Sequence, residues 1–436
     1  MKTYIVIGLG YGDEGKGSWV DHLVRKHDVR YTIRFNGGAQ ALHHVVSPEG
    51  VEHGFSQFGS GTLVDGVITI LSRFMLVEPL AMIQEAKILS DKGVHAPFSR
   101  MIISQSAPLI TPYHIALNRC RERQRGNDKH GSCGFGIGET QKDHDENVDQ
   151  AIVMGDILDL SQLQEKLAYV SQCKRDSLKH EDTQLYALYR KELALFDQGE
   201  YIQTLRLFRD QVRIVNDRLI NRLINANDTI FEGAQGALLD QSYGFFPHVT
   251  RSNTTFSNAE FLLETAHYEG EIEKIGLLRA YGTRHGAGPF ITEDSSLHVA
   301  PCHNTTGDWQ GNFRTGWFDA VAARYALSVV GDVDVLAITN VDRLFSQGDL
   351  RIVHQYNNAD ERFFSESEIY QLPVDYSLLA ERTETMNSII PMYKDMKGFS
   401  SVEQKNFSHY KRMIEDTIGR RVDAISTEST QNKCYL

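Results

Sequence analysis

No stretch of the chain is apolar for long enough to cross a bilayer, which calls for about 20 consecutive apolar residues. The apolar run Tyr4–Gly8 after Lys2 is too short for a secretory leader, and no small-residue cleavage site follows it. Cysteine is scarce: Cys120, Cys133, Cys173, Cys302 and Cys434 contain no C-x-x-C pair. That odd, unpatterned set excludes a zinc ribbon and fits reduced thiols. Positive charge is also short, with 45 Lys and Arg against 57 Asp and Glu, giving −12 at pH 7. Binding to nucleic acid through the overall field is therefore excluded, and anionic ligands would need a locally basic or amide-rich pocket. There is no internal repeat and no low-complexity linker. A soluble cytoplasmic protein with no membrane or nucleic-acid partner is expected.

Across 436 residues, short β-branched apolar runs predict strands at Tyr4–Gly8, Tyr31–Phe35, Val67–Leu71, Met101–Ser104, Thr229–Phe231, Val335–Thr339 and Val422–Ser426. Continuous rather than alternating runs suit strands covered on both faces, as in a parallel sheet. Trp19, Val20, Leu23 and Val24 form one helical stripe, and Leu158, Leu160, Leu163, Leu167 and Val170 form another. Lys174 to Arg222 reads as solvent-facing helix. The expectation is an α/β protein: a large, mainly parallel sheet flanked by helices, opened by a P-loop-like strand–loop–helix and carrying helical and loop insertions.

Four loops begin where predicted strands end: Gly8–Gly17, Glu232–Gly236, Asn340–Asp342 and Thr427–Thr430. In open α/β sheets ligands sit beyond the carboxyl ends of strands, so these loops are expected to line one cleft. In Gly8-Leu9-Gly10-Tyr11-Gly12-Asp13-Glu14-Gly15-Lys16-Gly17-Ser18 the glycines bring amides near phosphate oxygens, and Lys16 can reach the outer phosphates. The spacing matches an ordinary P-loop, except that Gly17 replaces the metal-binding Ser or Thr. Asp13 is the nearest alternative metal ligand. A tight strand-to-helix turn would also use such glycines.

Gly12-Asp13-Glu14-Gly15-Lys16-Gly17 resembles the signature of the adenylosuccinate synthetases, and other blocks follow in the family's order. These are Arg34-Phe35-Asn36-Gly37-Gly38 through His43, Glu232–Gly236, Thr250–Thr255, Gly286–Phe290, Arg314–Trp317, Thr339–Asp342 and Ile425–Thr427. About 150–225 and 345–390 match poorly, so one domain spanning 1–436 with a divergent helical insertion near 150–225 is expected.

The resemblance implies a homodimeric ligase that joins IMP and L-aspartate using GTP and Mg²⁺, first phosphorylating the purine 6-oxygen. It makes Asp13 the base at purine N1 and a metal ligand, His43 the proton donor to the transferring phosphoryl group, and Lys16 a phosphate neutraliser. The carbonyl of Leu42 would be a second metal ligand. GTP would lie against Gly12, Glu14, Gly15, Lys16, Gly17, Asn340, Asp342, Ser426 and Thr427, and IMP against Asp13, Gln40, Cys133, Gln235 and Thr250. Aspartate would meet Thr305, Thr306, Arg314 and His285.

Other readings stand beside these. His43 next to His44 could be a surface loop residue, Gln235 a core amide, Asp342 a helix N-cap and Arg314 a brace for the following turn. Cys133, where the family has threonine, reads more readily as a small core thiol.

Three departures stand out. Ala39-Gln40-Ala41-Leu42 replaces His-Asn-Ala-Gly before His43. Asp308–Phe313 lengthens the loop after Thr305-Thr306-Gly307 and removes its arginines, while His285 replaces a small apolar residue. Asn147 stands where an arginine would reach the neighbouring subunit. Different purine or amine substrates, or a non-catalytic nucleotide-binding regulator, are the competing functions.

Overall fold

The computed structural model describes residues 1–126, 130–147, 151–297, 299, 311–357, 375–427 and 433–435. Its centre is a ten-stranded sheet. In chain order the sheet strands are β1 (Lys2–Gly8), β2 (Tyr31–Arg34), β5 (Ile68–Leu71), β6 (Met101–Ser104), β7 (Arg213–Val215), β8 (Thr229–Gly236), β9 (Glu271–Arg279), β13 (Val335–Thr339), β16 (Ala424–Ser426) and β17 (Lys433–Tyr435). Their spatial order is β17-β16-β13-β9-β1-β8-β2-β5-β6-β7. Every pairing is parallel except the edge pair β16–β17. Outside it lie two antiparallel pairs, β3 (His43–Val46) with β4 (Glu52–Phe55) and β10 (Gly282–His285) with β11 (Phe313–Gly316). A small third sheet joins β12 (Phe318–Asp319), β14 (Asp349–Asn357) and β15 (Ile390–Lys397).

All seven expected strands are in the large sheet. Their apolar residues, such as Ile5, Ile33, Ile70, Phe231 and Ile338, join one core with the helices packed on the sheet. Helix α1 (Lys16–His27) buries Trp19, Val20, Leu23 and Val24 as its spacing predicts. The second stripe is shorter than expected. Leu158 precedes the helix Leu160–Glu181 and is exposed, whereas Leu163, Leu167 and Val170 are fully buried. The charged stretch also holds an edge strand, β7, among its helices.

Two further differences bear on the site. β8 runs to Gly236, so Glu232 lies inside the strand rather than after it. β9, between β1 and β13, was not expected from the sequence: its Glu-Ile-Glu-Lys start is largely exposed, and only its second half is a buried apolar run. Since the central strands run parallel, the ends of β1, β8, β13 and β16 open on one edge.

Leu277 is fully buried on β9 at the middle of the sheet. Leu277→Ala should destabilise the protein by about 2–5 kcal/mol through lost burial and a residual cavity. The shift of the chemical denaturation midpoint measures it.

Candidate functional site

The loop between β1 and α1 is held from below by two neighbouring strands. Arg279, ending β9, donates from Nη1 to the Asp13 carbonyl at 2.8 Å, and the Thr339 hydroxyl, ending β13, donates to the Glu14 carbonyl at 2.9 Å. A trans peptide carries C=O and N–H in opposite directions. The amides of Glu14 and Gly15 therefore turn away from these strand ends. Gly15 takes φ 77°, a left-handed conformation natural to glycine, and α1 starts at the next residue.

Inside the loop the charges satisfy one another. The Glu14 carboxylate accepts from the Gly12 amide at 2.7 Å and from Lys16 Nζ at 3.0 Å, and Lys16 also donates to the Gly12 carbonyl at 2.9 Å. Glu14 and Lys16 are both buried. The Glu14 side chain is thus a strut within the loop, and its contribution to an anion site would come from its amide.

Gly17 has a steric reason. A Cβ there would fall 2.9 Å from the Cβ of His43 and 3.1 Å from its carbonyl carbon. The Cβ and main chain of His43 occupy the space that a side chain at 17 would need.

His43 begins β3 and is buried. Its Nδ1 lies 2.5 Å from the Glu232 carboxylate, which also accepts from the Ser60 amide at 2.9 Å and from the Ser60 hydroxyl. Burial alone would raise Glu232, but the Arg34 charge and the bonds from His43 and Ser60 hold it well below the usual carboxylate range. An ionised Glu232 requires a proton on His43 Nδ1. Burial, helped by the Arg34 and Lys16 cations, lowers His43 to about 4 despite the pull of Glu232. The ring is therefore neutral at pH 7 and presents Nε2 as an acceptor; that atom is buried without a hydrogen-bond partner. Proton donation from Nε2 needs an anion beside it to raise the pKa. Sequence reading named His43 but missed Glu232 and Ser60 as its supports. The signal was a carboxylate inside an otherwise apolar strand.

Three further segments close around the loop. The Asn36 side chain ties Ala234 and Asn253 together, bonding the Ala234 amide at 2.7 Å and the Asn253 carbonyl at 2.9 Å. Gln235 adopts φ 56°, and both its amide oxygen and nitrogen are buried and unpartnered. Buried polar groups are nearly always paired, so this side chain is free to bond a ligand or a water. It lies against Gly12 and Gly37: a Cβ at Gly37 would come within 3.1 Å of its oxygen. Gln40 Oε1 is likewise buried and unpartnered. Cys133, half-buried, packs beside Leu76, Ile110 and Ile137, and desolvation pushes its thiol up to about 11. Thr250 is half-buried, its amide on the Leu239 carbonyl at 2.8 Å.

At the other end of the cleft, β13 and β16 pair Ile338 with Ile425, which puts Ser426 level with Thr339. Asn340 (φ 57°) takes the cap position of the turn Val341–Leu344, so Asp342 is not that cap; its carboxylate lies 3.5 Å from Arg343 Nε. Thr427 follows Ser426, and residues 428–430 lie outside the described residues.

Of the four residues expected to meet aspartate, Thr305 and Thr306 lie outside the described residues. Arg314 donates to the carbonyls of Gly286 and Gly288 at 3.0 and 2.9 Å and pairs with Glu293 at 2.6 Å. Arg284 is buried over the Tyr11 ring, on the carbonyls of Ala287, Pro289 and His248. His285 lies beside Asp13, with Nε2 3.5 Å from Oδ2. Leu42 has an exposed side chain and immediately precedes β3. Asn147 ends the helix Ile137–Glu146.

The electrostatics of His43 give a test. In the ligand-free protein its ring should titrate near pH 4, and a nucleotide triphosphate beside Nε2 should move that midpoint upward. Imidazole ¹⁵N shifts against pH, with and without nucleotide, check both statements; imidazolium at pH 7 without ligand would contradict the first.

Comparison with known proteins gives a consistent picture. A sequence profile described as adenylosuccinate synthetase matches residues 5–435. The chain is 32% identical to the adenylosuccinate synthetase of Vibrio vulnificus, covering 100% of this chain and 98% of that protein. It is 33% identical to that of a Marinomonas species, again over 100% and 98%. Among solved structures, fully ligated adenylosuccinate synthetase from Plasmodium falciparum superposes with a TM-score of 0.77 at 21% identity, over 99% of both chains. The succinoaminodeoxyadenylate synthetase of cyanophage S-2L, bound to dGMP and dATP, gives 0.60 at 13% identity over 100% of this chain and 95% of that one. With the profile and the relatives both spanning nearly the whole chain, this protein belongs to the adenylosuccinate synthetase family.

Proposed function

We propose that the protein ligates IMP and L-aspartate to adenylosuccinate, converting GTP to GDP and phosphate through 6-phosphoryl-IMP. The observation that carries this reading is a pair of opposed groups around one phosphate loop. Asp13 and His43 each end in a buried polar atom without a hydrogen-bond partner, Oδ2 on one and Nε2 on the other. Asp13 takes the proton from purine N1, the 6-oxygen attacks the γ-phosphorus, and the bond to the GDP oxygen breaks. His43, protonated beside the phosphates, donates a hydrogen bond to the charge that develops. The amine of aspartate then adds at C6, and phosphate leaves.

Lys16 exchanges its bond to the Gly12 carbonyl for phosphate oxygen in this reading. Gln235, Gln40 and Thr250 meet IMP, with Cys133 as packing behind them. Asn340, Asp342, Ser426 and Thr427 meet the guanine end. Magnesium would be held by the unpartnered Oδ2 of Asp13 and by the Leu42 carbonyl, and would neutralise the phosphate charge. Thr305, Thr306 and Arg314 hold aspartate: the Arg314–Glu293 pair is partly exposed, so a substrate carboxylate can replace Glu293. A cytoplasmic homodimer belongs to the same reading; no helix among the described residues is long and apolar enough to cross a membrane.

A second reading keeps the activation step but changes the purine monophosphate or the amine. It draws on the altered 308–313 segment and on His285 beside Asp13. Incubating the protein with GTP or ATP, Mg²⁺ and a panel of purine monophosphates and amino acids separates the two by product mass. Adenylosuccinate from IMP and aspartate alone is the expected result. Asp13→Asn should lower phosphate release by about 10²–10⁴-fold while nucleotide still binds, since it removes the base and leaves the amides. GTP should support turnover better than ATP, and Asp342→Asn should narrow the gap by roughly 1.5–3 kcal/mol, the value of a charged hydrogen-bonded contact. Equal use of both nucleotides by the parent would remove Asp342 from that role.

A further inference from the structure

The strands β10 and β11 put His285 opposite Phe313 in register. Their rings lie 4.9 Å apart, inclined at 54°. Phe313, the last residue of the lengthened segment, and the histidine at 285 are thus one unit, although the sequence presents them as separate oddities. That unit faces Asp13. The 3.5 Å from His285 Nε2 to Asp13 Oδ2 is too long for a good hydrogen bond, yet a small ring movement would close it. Neither Asp13 Oδ2 nor His285 Nδ1 has a hydrogen-bond partner, although both atoms are buried. The backbone of Asp13 is anchored by Arg279, so what is left to fix is the plane of its carboxylate. The neighbouring cations are committed elsewhere: Arg284 and Arg314 spend their donors on carbonyls and, for Arg314, on Glu293.

We propose that His285 is a positioning residue for Asp13, its Nε2–H closing on Oδ2 as the site fills and fixing the carboxylate toward purine N1. Phe313 sets the tilt of the ring. A carboxylate offers about four lone-pair directions, so one donated bond leaves room for the N1 proton and for a cation. This rests on the ligase reading and moves His285 from the amino acid to the base. A small apolar residue at 285 has no donor to offer, so the arrangement belongs to this chain's own pairing of histidine and phenylalanine.

The test uses the full-length protein with His285→Val, His285→Gln and Phe313→Leu, assayed with IMP, GTP, Mg²⁺ and aspartate. His285→Val should lower kcat by about 10- to 100-fold, the usual cost of losing a supporting hydrogen bond, with the KM for aspartate little changed. His285→Gln, which keeps a donor, should recover part of that loss. Positional isotope exchange in GTP with IMP but no aspartate should fall in step with kcat, because only phosphoryl transfer needs the base. A parent that makes no adenylosuccinate overturns the ligase reading and the proposal together. An active parent whose His285→Val variant keeps its kcat overturns the proposal alone. So does a raised KM for aspartate at unchanged kcat, which would place His285 on the amino acid. Should His285→Val not fold, Phe313→Leu loosens the ring without removing the donor: a several-fold lower kcat is expected, and an unchanged one overturns the proposal.

Discussion

The Glu232 carboxylate sits inside a parallel sheet with no exposed surface, and a charge in that place must be matched from every side. Arg34 lies opposite it in the β2–β8 register, the Ser60 amide and hydroxyl reach it from a connecting loop, and His43 reaches it from the β3–β4 hairpin. One buried anion therefore fixes two separate segments relative to the sheet. It also fixes which nitrogen of His43 carries the proton and which looks into the cleft. The cost of burying the charge is offset by these bonds, and what is gained is an imidazole with one orientation.

The phosphate loop repeats this logic at smaller scale. Lys16 is a buried cation satisfied by Glu14 and by a carbonyl of its own loop. Without ligand the loop is already at rest, so an arriving phosphate must offer Lys16 more than it gives up. In the proposed reading, groups with several negative oxygens do that best, before any base is read. Gln235, by contrast, has nothing to give up: its side-chain amide has no partner within the protein.

Much of this was legible in the sequence. The apolar runs located seven sheet strands, because strands covered on both faces have no polar side to blur the pattern. The glycine loop and the Glu232–Gly236 block announced themselves through residues few other structures need. β9 was not legible, because half of it is charged and exposed while its neighbours make it central. The inward turn of the Glu14 side chain was hidden too, since a carboxylate beside a lysine reads equally as ligand contact or as strut. The pairing of His285 with Phe313 required the β10–β11 register, which joins residues 28 positions apart in sequence and lies beyond any local pattern.

Gly17 sets a boundary between two lineages of nucleotide chemistry. Switch GTPases need a hydroxyl at that position for their metal. Here a Cβ at 17 would meet the Cβ and carbonyl carbon of His43 and the Ser60 hydroxyl, so a side chain at 17 and the main chain at 43 exclude one another. A hydroxyl residue at 17 would therefore require β3 to move away from α1, taking His43 and its bond to Glu232 with it.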